Sequence, residues 1–107
     1  MSHLLDSNFT PIGHIEDGAV RSHGHHLGYA KEDGEGGEIR DKNHQLLGKV
    51  DKDGHVKDRY GNAVGHLDKG TGQVVTHSGH HVGHVHHDDK LGAAALLLLM
   101  QKEKDDK

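Results

Sequence analysis

A glycine flanked by apolar residues recurs along this chain at Ile12-Gly13-His14-Ile15, Leu27-Gly28-Tyr29-Ala30, Leu47-Gly48-Lys49-Val50, Val64-Gly65-His66-Leu67 and Val82-Gly83-His84-Val85. The glycine-to-glycine steps are 15, 20, 17 and 18 residues, so one short unit is used five times and the variation in length falls in polar segments. Each unit also opens on an apolar residue eight or nine positions ahead of its glycine: Leu4 or Leu5, Val20, Ile39, Val56, and Val74 with Val75. In the cleanest copy, His55 to Leu67, a strand enters through Val56, a polar turn runs from Asp58 to Asn62, and a second strand leaves through Val64 and Leu67. The unit is a β-hairpin with three apolar anchors, too few to bury alone, so the units must share one core.

The recurrent glycine has a physical reading. Strict alternation sends the residues on either side of a Gly-X pair to opposite faces, whereas a bulge lets both point inward, as for Val64 and Leu67. A glycine at positive φ is the expected device for that bend.

Composition makes this sharing necessary. Leu, Ile, Val and Phe supply 23 of 107 residues, with no Trp, which places the chain near the boundary of disorder unless the few apolar residues are regularly placed. The expected fold is therefore all-β: about five hairpin repeats in one small domain over residues 1–90, followed by a separate C-terminal segment, 91–107. That segment, Leu91 to Lys104, is rich in strong helix formers, with Asp88 or Asp89 placed to favour its N-terminus. Its apolar run, Ala93 to Met100, spans only about 12 Å at the helical rise and is far short of a bilayer. Being apolar all round, it is expected to insert into protein, in its own array or against another subunit.

Three local features carry further expectations. Pro11 in the first unit suggests an edge strand, since proline cannot donate to a ladder. The acidic, glycine-rich run Lys31 to Gly37 reads as the most mobile loop, and nothing in it suits a phosphate. Asp51-Lys52-Asp53-Gly54 resembles a calcium loop, but it lacks the downstream bidentate Glu and reads better as turn chemistry.

The pattern apolar-X-Asp-X-X-Gly-X-X-Val-Gly-X-apolar, best seen in Ile39-Arg40-Asp41, Val56-Lys57-Asp58 and Val64-Gly65-His66-Leu67, is followed by Ala93-Ala94-Ala95-Leu96-Leu97-Leu98-Leu99. Together they resemble the β-flower family of small bacterial proteins. The resemblance implies a closed, pseudo-five-fold, flower or propeller-like array of hairpins with the C-terminal helix packed against it. It implies no activity and no site residues.

Function classes can be narrowed. There is no cysteine, hence no disulfide or thiolate site, and the formal charge of −4 with no basic stripe argues against nucleic acid as a partner. No secretory signal or transmembrane segment is visible near Met1 or elsewhere, so cytoplasmic residence is the default expectation. Self-association through the C-terminal helix or through hairpin edges is the expected partner mode. The serines lack a nucleophile-elbow context and the paired carboxylates sit in polar runs, so the chain is expected not to be an enzyme.

The compositional excess that can carry chemistry is histidine, 14 in 107 residues, whose complete protonation would turn the formal charge from −4 to +10. The position after each anchor glycine reads His14, Tyr29, Lys49, His66, His84, and three before it stand Thr10, His25, Gln45, Asn62, His80. In a closed ring either set could form a polar ring near the axis. The denser candidate is local: His77, His80, His81, His84, His86 and His87 are candidate ligands for a divalent transition metal such as Zn, Ni or Cu. Strand alternation would place His84 and His86 on one face with His77 across from them. Against this, histidine is also a neutral, turn-compatible surface residue, and no spacing here matches a closed metal site. The expected function is a non-catalytic structural or binding module, with a histidine-based metal-binding protein as the alternative.

Overall fold

The computed structural model describes residues 2–100. Each unit forms the two strands of a hairpin: β1 (Ser2–Leu5), β2 (Pro11–Glu16), β3 (Ala19–Ser22), β4 (His25–Asp33), β5 (Gly36–Asp41), β6 (Leu46–Val50), β7 (His55–Asp58), β8 (Ala63–Leu67), β9 (Gln73–Thr76) and β10 (His81–His84). Each strand pairs antiparallel with its neighbours in sequence, and β1 pairs with β10, so the ten strands close into a barrel. Closure is thin: one residue pair, Leu5 opposite His84, joins β1 to β10, whereas six pairs join β4 to β5.

Two local expectations are corrected by this topology. Pro11 does not lie on an edge, because β2 is paired on both sides; it is the first residue of its strand, where a missing N–H costs little. The run Lys31 to Gly37 is not a long loop. β4 continues to Asp33 and β5 begins at Gly36, so only Gly34 and Glu35 connect them, with Gly34 at φ +65°.

The bulge expected at each anchor glycine is present in every unit, with a different cause. The ladder skips one residue opposite Leu4/Leu5, Val20/Arg21, Ile39/Arg40, Val56/Lys57 and Val74/Val75. The extra residues are Ile12, Leu27, Leu47, Val64 and Val82, all half-buried against the core. The anchor glycines themselves do not adopt positive φ. They are glycine because of closeness: a Cβ there would strike the carbonyl oxygen of Arg21, Arg40, Lys57, Val75 or Leu5 on the adjoining strand.

The lumen is lined by Leu4, Ile15, Val20, Ala30, Ile39, Val50, Val56, Leu67, Val74 and Val85, one apolar residue from each strand or its end. A barrel of ten strands is wider than its own wall side chains fill. Here the chain fills it with its C-terminal helix, α1 (Lys90–Ala95), continued by a π-helical turn (Leu96–Met100). Residues Gly92 to Leu99 are buried and join the lumen residues in one core. Asp89 caps the helix, its Oδ1 accepting the Gly92 N–H at 2.9 Å, as its position implied. The polar tail beyond Met100 lies outside the described residues.

The π turn has a geometric role. An added Cβ at Gly83, Gly65, Gly48, Gly28 and Gly13 would meet Leu96 at 3.1, Leu97 at 2.9, Leu98 at 2.7, Leu99 at 3.2 and Met100 at 3.1 Å, in that order. Five consecutive side chains are thus dealt one to each unit. Five equally spaced targets lie about 72° apart, and the widened π turn approaches this better than an α-helix with its ~100° per residue.

Candidate functional site

The two ends of the barrel are built differently. The helix enters at the end where successive units are joined, after the segment His86 to Asp89. The turns inside each hairpin ring the other end. Three of them begin with aspartate and share one design. Oδ1 of Asp6 accepts the N–H of Asn8 (2.8 Å) and Thr10 (2.9 Å); Asp41 takes Asn43 (2.8 Å) and Gln45 (3.0 Å); Asp58 takes Tyr60 (2.9 Å) and Asn62 (2.9 Å). In the fifth unit the Thr76 hydroxyl accepts from the His80 N–H at 3.1 Å. The fourth residue of these turns takes positive φ: Phe9 (65°), His44 (68°), Gly61 (87°) and Gly79 (96°). This type of turn closes a hairpin with a left-handed residue before the second strand.

Above the π turn, the hairpin turns of units three, four and five enclose an open mouth of about 740 Å³. Its floor is apolar: Leu47 and Val64, two of the bulge residues, with Leu97 and Leu98 from the helix. Its rim is polar: Asp41, Gln45, Asp58, Arg59, Tyr60, Thr76, His77, Ser78 and His80. The volume falls within the range of small-molecule pockets, and barrel mouths are common places for one. Arg59 leans on its neighbour, Nη2 donating to the Tyr60 hydroxyl at 3.0 Å, with the guanidinium 5.1 Å from the ring centre. Among the described residues, neither Asp41 nor Asp58 is in an ion pair. The Asn62 amide, opposed by desolvation and reinforced by the Tyr60 amide, holds the Asp58 carboxyl below its ordinary value.

The six histidines singled out in the sequence divide by strand geometry. His77 and His80 are exposed on the rim of the mouth. His81 is half-buried on β10, Nε2 lying 3.0 Å from the Gly83 carbonyl oxygen, as His26 Nε2 does from that of Gly28. His84 is buried at the seam, stacked on Phe9 with ring centres 3.8 Å apart and edge-on to His81 at 4.4 Å. Burial, and then the neighbouring His81, pushes the His84 pKa down. His86 and His87 lie exposed beyond the strand, stacked at 4.4 Å beside Asp88. The expected alignment of His84 with His86 and His77 does not form, because β10 ends at His84 and the residue opposite is Gln73.

Among the described residues, two exposed groups offer three ligand atoms mutually within 4.8 Å: His86, His87 and Asp88, and Asp51, Asp53 and His55. Either could hold a metal. His77, His80, His81 and His84 belong to neither. In the second group Asp51 Oδ1 accepts the amides of Asp53 (2.9 Å) and His55 (3.0 Å), the turn chemistry read from the sequence. Desolvation raises the Asp51 pKa, but these two amides and the nearby His55 and Lys57 outweigh it and hold the carboxyl low. The residues following the anchor glycines form no axial ring. They alternate with lumen residues along their strands and lie on the outer side of the wall, where His84 is covered by Phe9, Tyr29 stacks on His44 at 4.3 Å and His55 stands 6.1 Å from His66.

The mouth was not singled out from the sequence. Its signal is a polar residue seven positions ahead of the anchor glycine, Asp41, Asp58 and Thr76, which becomes meaningful only once successive units are stacked side by side. No family model, curated protein or solved structure matches the chain.

Proposed function

We propose that this protein is a non-catalytic binding module that takes a small molecule at the open end of the barrel. The observation that carries this is the mouth of about 740 Å³, with its floor of Leu47, Val64, Leu97 and Leu98 inside a polar rim. Such a floor rewards an apolar ligand body, and the rim sets its orientation. The wall and helix serve as a scaffold for turns whose sequences differ from unit to unit. The repeat and the Ala/Leu tail support membership of the β-flower proteins; in this chain one side chain of the tail lies against each unit.

The reading is tested by nuclear magnetic resonance with a small-fragment library on the full chain. Saturable amide shifts at Leu47, Asp58, Val64 and Thr76 are expected; shifts scattered over the outer wall, or none, would refute it.

A second reading, divalent-metal binding, is favoured by the meeting of His86, His87 and Asp88. Native mass spectrometry before and after chelation decides it. A whole-number metal adduct abolished in His86→Ala/His87→Ala supports the reading, and apo protein in the presence of Zn, Ni and Cu removes it. The described residues contain no helix long and apolar enough to cross a membrane.

A further inference from the structure

We propose that the mouth selects small amphipathic organic cations, holding an apolar body on its floor and an ammonium group at Asp41 and Asp58. This rests on the binding-module reading and names the class of ligand for that site.

The argument starts from how the two carboxylates are held. Each is half-buried at the start of a hairpin turn, where its Oδ1 accepts two backbone amides. The amides fix the carboxylate plane without neutralising it, since a backbone N–H is a dipole and not a counter-charge. For Asp58 they also favour the ionised form and hold its pKa below the ordinary value. No ion-pair partner reaches either group among the described residues.

Arg59 is the guanidinium on the rim, and its disposition points the same way. It is engaged with the Tyr60 hydroxyl and ring rather than with Asp41 or Asp58. The fixed charges lining the cavity are therefore two carboxylates and one guanidinium, a net negative rim above an apolar floor. A carboxylate ligand would meet repulsion from both aspartates. A neutral alcohol would gain the floor but leave the carboxylates without a counter-charge. An alkylammonium satisfies both, and partial enclosure by the apolar floor strengthens the charge pairing over its value in open water.

The test compares three probes sharing one body and differing in the head: hexylammonium, hexan-1-ol and hexanoate, each titrated into the full chain by nuclear magnetic resonance. Hexylammonium is expected to bind at least about ten-fold more tightly than hexan-1-ol, with hexanoate weakest. The double variant Asp41→Asn/Asp58→Asn removes both charges while keeping the side-chain oxygen each turn requires. It should fold normally, weaken hexylammonium about ten-fold and leave hexan-1-ol unchanged. Hexan-1-ol or hexanoate binding as well as hexylammonium, or an unchanged hexylammonium affinity in the double variant, overturns the cation assignment while the mouth remains a binding site. No binding by any of the three overturns the assignment and the mouth reading together.

Discussion

His84 shows how a single position can depart from what its neighbours in sequence imply. Six histidines stand close together between His77 and His87, and proximity in sequence suggested one ligand set. Strand geometry separates them, because a residue at the barrel seam is covered by whatever crosses it. For His84 that cover is Phe9, a turn residue from the opposite end of the sequence. Nothing local to His84 announces this contact, which depends on closure. Its consequence is a pH dependence whose sign follows from burial. The ordinary histidine pKa is 6.5, and in the folded protein burial, with His81 beside it, lowers that of His84. The unfolded chain thus takes up the proton first. The stability that His84 contributes is complete above its unfolded pKa and is lost as pH falls through the lowered folded value. Histidine resonances should show His84 titrating below 6.5, and denaturant unfolding should show stability falling as the pH is lowered through that value. In Phe9→Ala the ring is exposed and the His84 pKa should return toward 6.5. A His84 that titrates at its ordinary value in the intact protein would contradict the buried stack.

At the scale of elements, the match between five glycines and five helix side chains organises the molecule. The existence of the units was legible, because a Gly-apolar signature at a period near eighteen has no other simple cause, and the bulges followed from the need to turn both flanking residues inward. The reason for the glycine was misread. A sequence does not distinguish a glycine needed for positive φ from one needed for close approach, and here Gly54, Gly61 and Gly79 do the first while Gly48, Gly65 and Gly83 do the second. The π turn was likewise hidden, since Leu96 to Leu99 suits any helical winding and only the five-fold lumen selects one. The match makes a quantitative claim at Gly65 and Leu97. Leu97→Ala opens a cavity in a buried site and should cost about 2–5 kcal/mol. Gly65→Ala places a methyl 2.9 Å from Leu97 and against the Val75 carbonyl, and should cost about 1–3 kcal/mol or more. In the double variant the methyl partly fills the space left by Leu97, so the sum should be undershot by about 1 kcal/mol. The remaining penalty belongs to the Val75 carbonyl, which no change in the helix relieves. Strict additivity in urea unfolding would mean that the two positions do not meet.

For the whole molecule, the question is whether residues 1–90 stand as a unit without the helix. The lumen argues that they do not. Leu96, Leu97, Leu98 and Leu99 are all buried inside the barrel, and at about 1.5–3 kcal/mol each their burial contributes roughly 6–12 kcal/mol. A domain of this size has a net stability of only about 5–15 kcal/mol. Removing the helix would withdraw most of that margin and leave ten wall residues facing an empty lumen behind a seam of one residue pair. The helix lies in the core of its own barrel, and closure pairs every described strand on both sides. A chain ending at Lys90 should therefore lose amide dispersion and bind a hydrophobic dye, and a peptide of residues 90–107 added in trans should restore the barrel spectrum. In the intact chain, the seam amides of Leu5 and His84 should exchange faster than those of β4 and β5, which share the longest ladder. If the shortened chain instead keeps a dispersed spectrum and an unchanged melting temperature, the wall is self-sufficient. The Ala/Leu helix would then be filling space, and the five-fold match between its side chains and the glycines would reflect fit after folding rather than a condition for it.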